Sequence, residues 1–134
     1  TAVAEGDIAL AKRIGEDALR LAESTHDHHG SMSALRVLAK ALARSLPPDF
    51  ESAVGYLRQA IRIEHEMGVK PELGRTYAEM AGICRAMGRT AEARAYLSVA
   101  RDIFEQQKMR FDLAVIERFD ARTTEAAADE PLTS

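Results

Sequence analysis

Residues 31–48 carry three basic side chains and no acidic one. Arg36, Lys40 and Arg44 follow one another at intervals of four residues, so they lie on one face if the segment is helical. A guanidinium binds a carboxylate through two parallel hydrogen bonds, and an ammonium binds it as a point charge. This stripe therefore predicts binding of an acidic segment, and solvated surface charge is the alternative.

The segment His26-Asp27-His28-His29 is the only cluster in the sequence whose side chains resemble metal ligands. Imidazoles and a carboxylate can coordinate zinc or nickel, but adjacent residues on a linker rarely converge with tetrahedral geometry. No cysteine or distant histidine completes the set. We therefore predict a solvated linker here and no metal site.

Catalytic motifs are absent from the sequence. The single cysteine, Cys84, is flanked by Met80 and Met87 and has neither a neighbouring histidine nor a helix N-terminus to lower its pKa. No glycine-rich phosphate loop, GxSxG elbow or HExxH sequence occurs. The chain is predicted to be non-enzymatic and to need no cofactor, with Cys84 as a small buried thiol.

Composition excludes several other classes. The net charge is −3 and aromatic residues make up 5% of the chain. The chain therefore has no excess of basic residues to contact phosphates and few rings to stack on bases, so nucleic-acid binding is not indicated. Apolar runs are short and interrupted by charge, which predicts no membrane span and no signal peptide. One cysteine cannot form an internal disulfide, and we expect a cytoplasmic protein.

The same apolar grid occurs three times, starting at Ala11, Ala53 and Ala93, which are 42 and 40 residues apart. The three copies are Ala11-x3-Gly15-x2-Ala18-x2-Leu21, Ala53-x3-Leu57-x2-Ala60-x2-Ile63 and Ala93-x3-Leu97-x2-Ala100-x2-Ile103. Periods of this size are typical of stacked helical hairpins, in which each unit needs its neighbours to bury its apolar face. The chain is therefore predicted to be all-α.

Six helices are predicted from caps and breakers. Their expected ranges are about 7–25, 31–45, 50–67, 71–87, 90–107 and 110–122. Asp7, Asp49 and Thr90 are candidate N-caps, and Gly68 and Gly88 candidate ends. The helical domain is expected to cover residues 1–124, with 125–134 as a disordered acidic tail.

Residues 74–107 carry a recognisable repeat pattern. Its members are Tyr77 at a large aromatic position, Met80-Ala81, Cys84, Gly88 at the turn, and then Ala93, Leu97 and Ala100. The chain resembles the tetratricopeptide repeat family, in the long-period form of bacterial multidomain regulators, although the proline expected at the repeat end is absent. The resemblance covers about residues 5–122. It implies antiparallel hairpins stacked as a right-handed superhelix, with an incomplete first repeat, forming the C-terminal part of a larger regulator.

The resemblance also implies which side chains line the inner surface of the superhelix. The expected basic groove comprises Arg36, Lys40, Arg44, Arg75, Arg85, Arg118 and Arg122. We expect these side chains to share one concave surface, without acidic neighbours, and to bind an acidic protein or peptide segment.

Two alternatives remain open at the sequence level. The first helix has no preceding partner, so an apolar stripe including Ile8, Ala11 and Gly15 could mediate self-association into a homo-oligomer. A ligand-sensing regulatory domain, controlling an attached catalytic or DNA-binding domain, is the other alternative and would require a closed apolar pocket.

Overall fold

The computed structural model describes the backbone of residues 2–129 and the side chains of residues 6–119. Over this range the chain forms six helices and no strand. They are α1 (Ala2–Ser24), α2 (His28–Arg44), α3 (Phe50–Met67), α4 (Lys70–Ala86), α5 (Thr90–Gln106) and α6 (Arg110–Asp129). The prediction of an all-α chain of about six helices is confirmed.

The ends of α3 and α4 follow the predicted signals. The Asp49 carboxylate accepts a hydrogen bond from the backbone N–H of Ser52 at 3.1 Å, so it caps α3. Gly68 ends the helix at φ 68°, in the left-handed region where glycine lacks the strain of a Cβ. Pro71 lies in the first turn of α4, and Gly88 follows that helix at φ 80°.

Three predicted N-termini differ from the structure. Helix α1 begins at Ala2, so Asp7 lies within the helix and is not its N-cap. The alanines before Gly6 favour a helix strongly enough to offset the low helix propensity of this glycine. Helix α2 begins at His28, because Asp27 accepts a hydrogen bond from the N–H of Gly30 at 2.9 Å and caps it. Thr90 is the first residue of α5 and Arg89 occupies the cap position.

Helix α6 runs to Asp129, beyond its predicted end near Arg122. Ala126, Ala127 and Ala128 have the highest intrinsic helix propensity, which the charge-based prediction of a tail underrated. The domain boundary expected at residue 124 stays a prediction. Residues 130–134 of the predicted tail lie outside the described residues.

Each helix packs against the next one along the chain. One apolar core joins α2 to α5, and a second joins α4, α5 and α6 around Phe104 and Ile116. The alanines in the second and third copies of the grid are buried: Ala53, Ala60 and Ala100 are 0% exposed and Ala93 is 1% exposed. Small side chains at these positions allow the helices to approach closely.

Two glycines are required by this close packing. A Cβ at Gly15 would lie 2.9 Å from Cγ of Leu38, and a Cβ at Gly74 would lie 2.6 Å from Cε1 of Phe104. Helices α1 and α2, and likewise α4 and α5, therefore meet where one of them has no side chain.

No helix in the described part of the chain has both the length and the apolar character needed to cross a membrane.

Candidate functional site

The basic stripe of α2 is partly neutralised within the chain. Nη2 of Arg36 donates to Oε1 of Glu79 at 2.9 Å, and Nζ of Lys40 lies 3.3 Å from the same oxygen. Glu79 comes from α4. The prediction of a groove without acidic neighbours is therefore wrong at these two residues, because helix stacking brings together positions that are far apart in sequence.

The basic residues of α4 interact with α6. Nη2 of Arg75 lies 3.6 Å from Oδ2 of Asp112, and the Arg85 guanidinium carbon lies 4.9 Å from the centre of the Phe119 ring. Arg118 is exposed, and Arg122 lies outside the described side chains. Of the predicted basic set, Arg36, Lys40 and Arg75 therefore each have an acidic neighbour within the chain, which the prediction excluded.

Arg44 differs from the other basic residues of the predicted set. It is exposed, and no carboxylate of the described side chains lies within ion-pair distance of it. It lies beside a cavity of about 400 Å³ between α2 and α4, which we call the α2–α4 groove.

The α2–α4 groove has an apolar lining and a charged rim. Its lining comprises Ala39 and Ala43 of α2, Phe50 and Leu57 of α3, and Gly82, Ile83 and Ala86 of α4, and its rim comprises Lys40, Arg44 and Glu79. The rim therefore carries two positive charges, Lys40 and Arg44, and one negative charge, Glu79, which already pairs with Arg36 and Lys40. This arrangement can accept an apolar side chain and attract a carboxylate beside it.

Gly82 keeps part of this groove open. It lies inside α4, where glycine costs about 1 kcal/mol relative to alanine. A Cβ at Gly82 would meet no heavy atom within 4 Å. Packing within the chain therefore does not require a glycine here, in contrast to Gly74 on the same helix.

A second cavity, of about 250 Å³, lies between α1 and α2, and we call it the α1–α2 groove. It is lined by Asp7, Ile8 and Ala11 of α1 and by Val37, Lys40, Ala41 and Arg44 of α2.

The predicted self-association face is turned toward α2. Gly15 is buried against Leu38, while Ile8 and Ala11 line the α1–α2 groove. The large apolar side chains that the described part of α1 exposes are Leu10, Ile14 and Leu21, at 54%, 56% and 65%. Gly15 is therefore covered by α2, whereas Ile8 and Ala11 line an open groove, and self-association through these residues stays a prediction.

Glu64 is a buried acidic residue that the sequence analysis did not single out. It is 0% exposed, and Oγ1 of Thr76 donates to its carboxylate at 2.6 Å. Burial raises the pKa of Glu64, because the charged form is desolvated, although the Thr76 hydroxyl and Arg36 oppose the shift. Glu64 occupies the same position in the repeat as Ala22 and Phe104. A charged residue at a position that is apolar in the other two repeats was the sequence signal for a buried acidic residue.

Cys84 is 2% exposed, as predicted for a small core thiol. Burial raises the pKa of its thiol, and the nearby Glu92 carboxylate adds to the increase. A thiol with a raised pKa stays protonated and is a poor nucleophile.

The histidine segment has a structural role at its centre. Asp27 uses its carboxylate to cap α2, and His28 and His29 form the first turn of that helix. Among the side chains of residues 6–119, no group of three histidine, cysteine, aspartate or glutamate residues is placed to hold a metal ion.

A scan against protein-family models, a search of curated proteins and a search of solved structures each found no match to this chain. Membership of the tetratricopeptide family accordingly stays a prediction that rests on the residues of the repeat.

Proposed function

We propose that this chain is a protein-interaction module whose α2–α4 groove binds a short segment of a partner protein. That segment inserts one apolar side chain into the groove and places an acidic residue beside Arg44 and Lys40. The observation that carries the proposal is an open apolar groove whose rim has more positive than negative charge.

The two contacts supply affinity and orientation respectively. Full burial of a leucine-sized side chain contributes about 1.5–3 kcal/mol. The Arg44 guanidinium offers a bidentate contact to a carboxylate, which fixes the direction of the bound segment. Since Glu79 already occupies Arg36 and part of Lys40, Arg44 is the main anchor for the acidic residue.

The open space at Gly82 supports the same proposal. Gly82 lowers the stability of α4, and no neighbouring atom requires a glycine at this position. Its presence is explained if a larger side chain here would fill the binding groove. Gly55 of α3 also has open space around its Cβ position but does not line the groove. It therefore serves as a matched control.

The resemblance to tetratricopeptide repeats supports a wider setting. On that basis we place the chain in a cytoplasmic regulatory protein, in which the groove recruits a partner to the attached regions. The module performs no chemical step in this proposal.

A peptide-display selection on the 134-residue chain tests the proposal. The selected peptides are expected to share a Leu, Ile, Met or Phe next to an Asp or Glu. Their affinity for Gly82→Leu is expected to fall at least about tenfold, because the new side chain fills the groove, whereas Gly55→Leu should bind like the unsubstituted chain. Added salt should weaken binding, since an exposed charge pair contributes to it.

Two results would count against the proposal. One is a selection that yields no peptide above background. The other is a set of peptides that bind Gly82→Leu as tightly as Gly55→Leu, because binding would then occur elsewhere.

A further inference from the structure

The 42-residue repeat relates the two grooves to each other. Five residues that line the α1–α2 groove, Ile8, Val37, Lys40, Ala41 and Arg44, correspond to Phe50, Glu79, Gly82, Ile83 and Ala86. Each of those five counterparts lines the α2–α4 groove. The two grooves are therefore the same place in successive repeats.

The grooves differ in what stands on their open side. In the α2–α4 groove, Ala39 and Ala43 of α2 form one wall and face the side chains of α3 and α4. In the α1–α2 groove, no helix of the described chain takes the corresponding place.

Residues on the surface of α1 are exposed where their counterparts in the later repeats are buried. Ala18 is exposed, whereas its repeat counterparts Ala60 and Ala100 are 0% exposed. Ile14 and Leu21 are 56% and 65% exposed, although both of their counterparts on α3 are partly buried. Helix α1 thus presents the apolar surface that α3 buries within the stack.

We propose that the α1–α2 groove is the docking site for an amphipathic α-helix of a partner protein, which lies on α1 as α2 lies on α3. Helix α2 itself supplies the template for the apolar face. Ala39 and Ala43 are small residues four apart, and they allow a helix to approach the groove closely.

Charge determines the other side of the docked helix. The α1–α2 groove has Lys40 and Arg44 where the next groove has Gly82 and Ala86, and Asp7 is the acidic residue of its lining. A helix with acidic residues at these levels is therefore favoured. The α2 helix of a second copy is disfavoured, because its own Lys40 and Arg44 would meet the same two cations.

The probe is a synthetic peptide of residues 28–45 that carries Arg36→Leu, Lys40→Glu and Arg44→Glu. Its control is the unsubstituted 28–45 peptide, which has the same small residues but basic charges. We expect the full 134-residue chain to bind the substituted peptide at least about tenfold more tightly than the unsubstituted one, as measured by fluorescence anisotropy. One charge-assisted contact is enough to produce a difference of this size.

Matched protein variants locate the binding. Val37 and Val99 are both partly exposed, at 45% and 40%, but only Val37 lines this groove. Val37→Glu should weaken binding of the substituted peptide at least about tenfold, and Val99→Glu should leave it unchanged. Arg44→Glu should reverse the preference between the two peptides. Gly82→Leu should have no effect here, which separates this site from the α2–α4 groove.

Several outcomes would overturn the inference. Equal binding of the two peptides would remove the charge argument, and equal behaviour of Val37→Glu and Val99→Glu would remove the location. If sedimentation velocity showed that the unsubstituted chain self-associates and that Ile14→Glu makes it monomeric, the occupant would be a second copy.

Discussion

Helices α1 and α3 carry the same apolar grid in different surroundings. Helix α3 packs between α2 and α4, whereas α1 packs chiefly against α2 among the described helices. As a result, Ala60 is 0% exposed and its counterpart Ala18 is exposed. In a stacked structure, whether an apolar position belongs to the core or to a binding surface depends on its neighbours as much as on its residue type.

The largest expected difference between the two helices is in their response to a larger side chain. Ala60→Leu should overpack the core and lower the free energy of unfolding by about 1–3 kcal/mol. Ala18→Leu adds the same atoms at an exposed site and should change it by no more than about 0.5 kcal/mol. Urea denaturation measures both values. Similar losses for the two variants would contradict the correspondence between α1 and α3.

The buried Glu64 distinguishes α3 from α1 in a second way, since α1 has Ala22 at the equivalent position. Thr76→Val keeps the volume but removes the hydroxyl that donates to the Glu64 carboxylate. We expect a loss of about 1–3 kcal/mol, because a buried acceptor is left unsatisfied. In the double variant Thr76→Val/Glu64→Leu the acceptor is gone, so most of this loss should be recovered. An additive further loss would contradict this assignment.

The pH dependence of stability follows from the same residue. Burial raises the folded-state pKa of Glu64 above its ordinary value of 4.5, so the folded chain retains this proton at a pH where the unfolded chain has lost it. The favourable contribution is complete below about 4.5 and is lost as the pH rises through the folded pKa.

Thermal unfolding from pH 4 upward tests this dependence. Unfolding free energy should carry a component that decreases with pH in the unsubstituted chain, and that component should vanish in Glu64→Gln. Arg36, Glu72 and Glu79 act on the same carboxyl group, so the comparison with Glu64→Gln is needed to isolate it. An identical pH profile for the two proteins would contradict the raised pKa.

The smallest expected effects concern glycine. Gly55→Ala and Gly82→Ala place a methyl group in open space within helices and should each stabilise the chain by up to about 1 kcal/mol. Gly15→Ala should destabilise it, because the new Cβ would lie 2.9 Å from Cγ of Leu38. Melting temperatures measure all three. If Gly15→Ala stabilised the chain as much as Gly55→Ala, the result would contradict a close approach of α1 and α2 at Gly15.

The sequence predicted the fold well because its signals were local. The cap at Asp49, the turn at Gly68 and the repeated alanines each act within a few residues or at a fixed period. The site was predicted less well. The pairing of Arg36 with Glu79 depends on how two helices stack across 43 residues, and no local rule supplies that register.

The position of Gly15 on α1 was assigned incorrectly for a related reason. The grid identifies which positions are apolar, and both Gly15 and Leu21 belong to it. Only the packed structure shows that Gly15 contacts Leu38 while Leu21 stays exposed. A glycine within an otherwise larger grid position, where α3 has Leu57, was the signal for close packing.

The central claim is that the α2–α4 groove is the binding surface. Its most direct test is a titration of the ¹⁵N-labelled chain with a display-selected peptide, followed through amide chemical shifts. We expect the largest shifts at Ala39, Ala43, Gly82, Ile83 and Ala86, and we expect them to be lost in Gly82→Leu but kept in Gly55→Leu. Shifts confined to α5 and α6, or shifts that persist in Gly82→Leu, would contradict it.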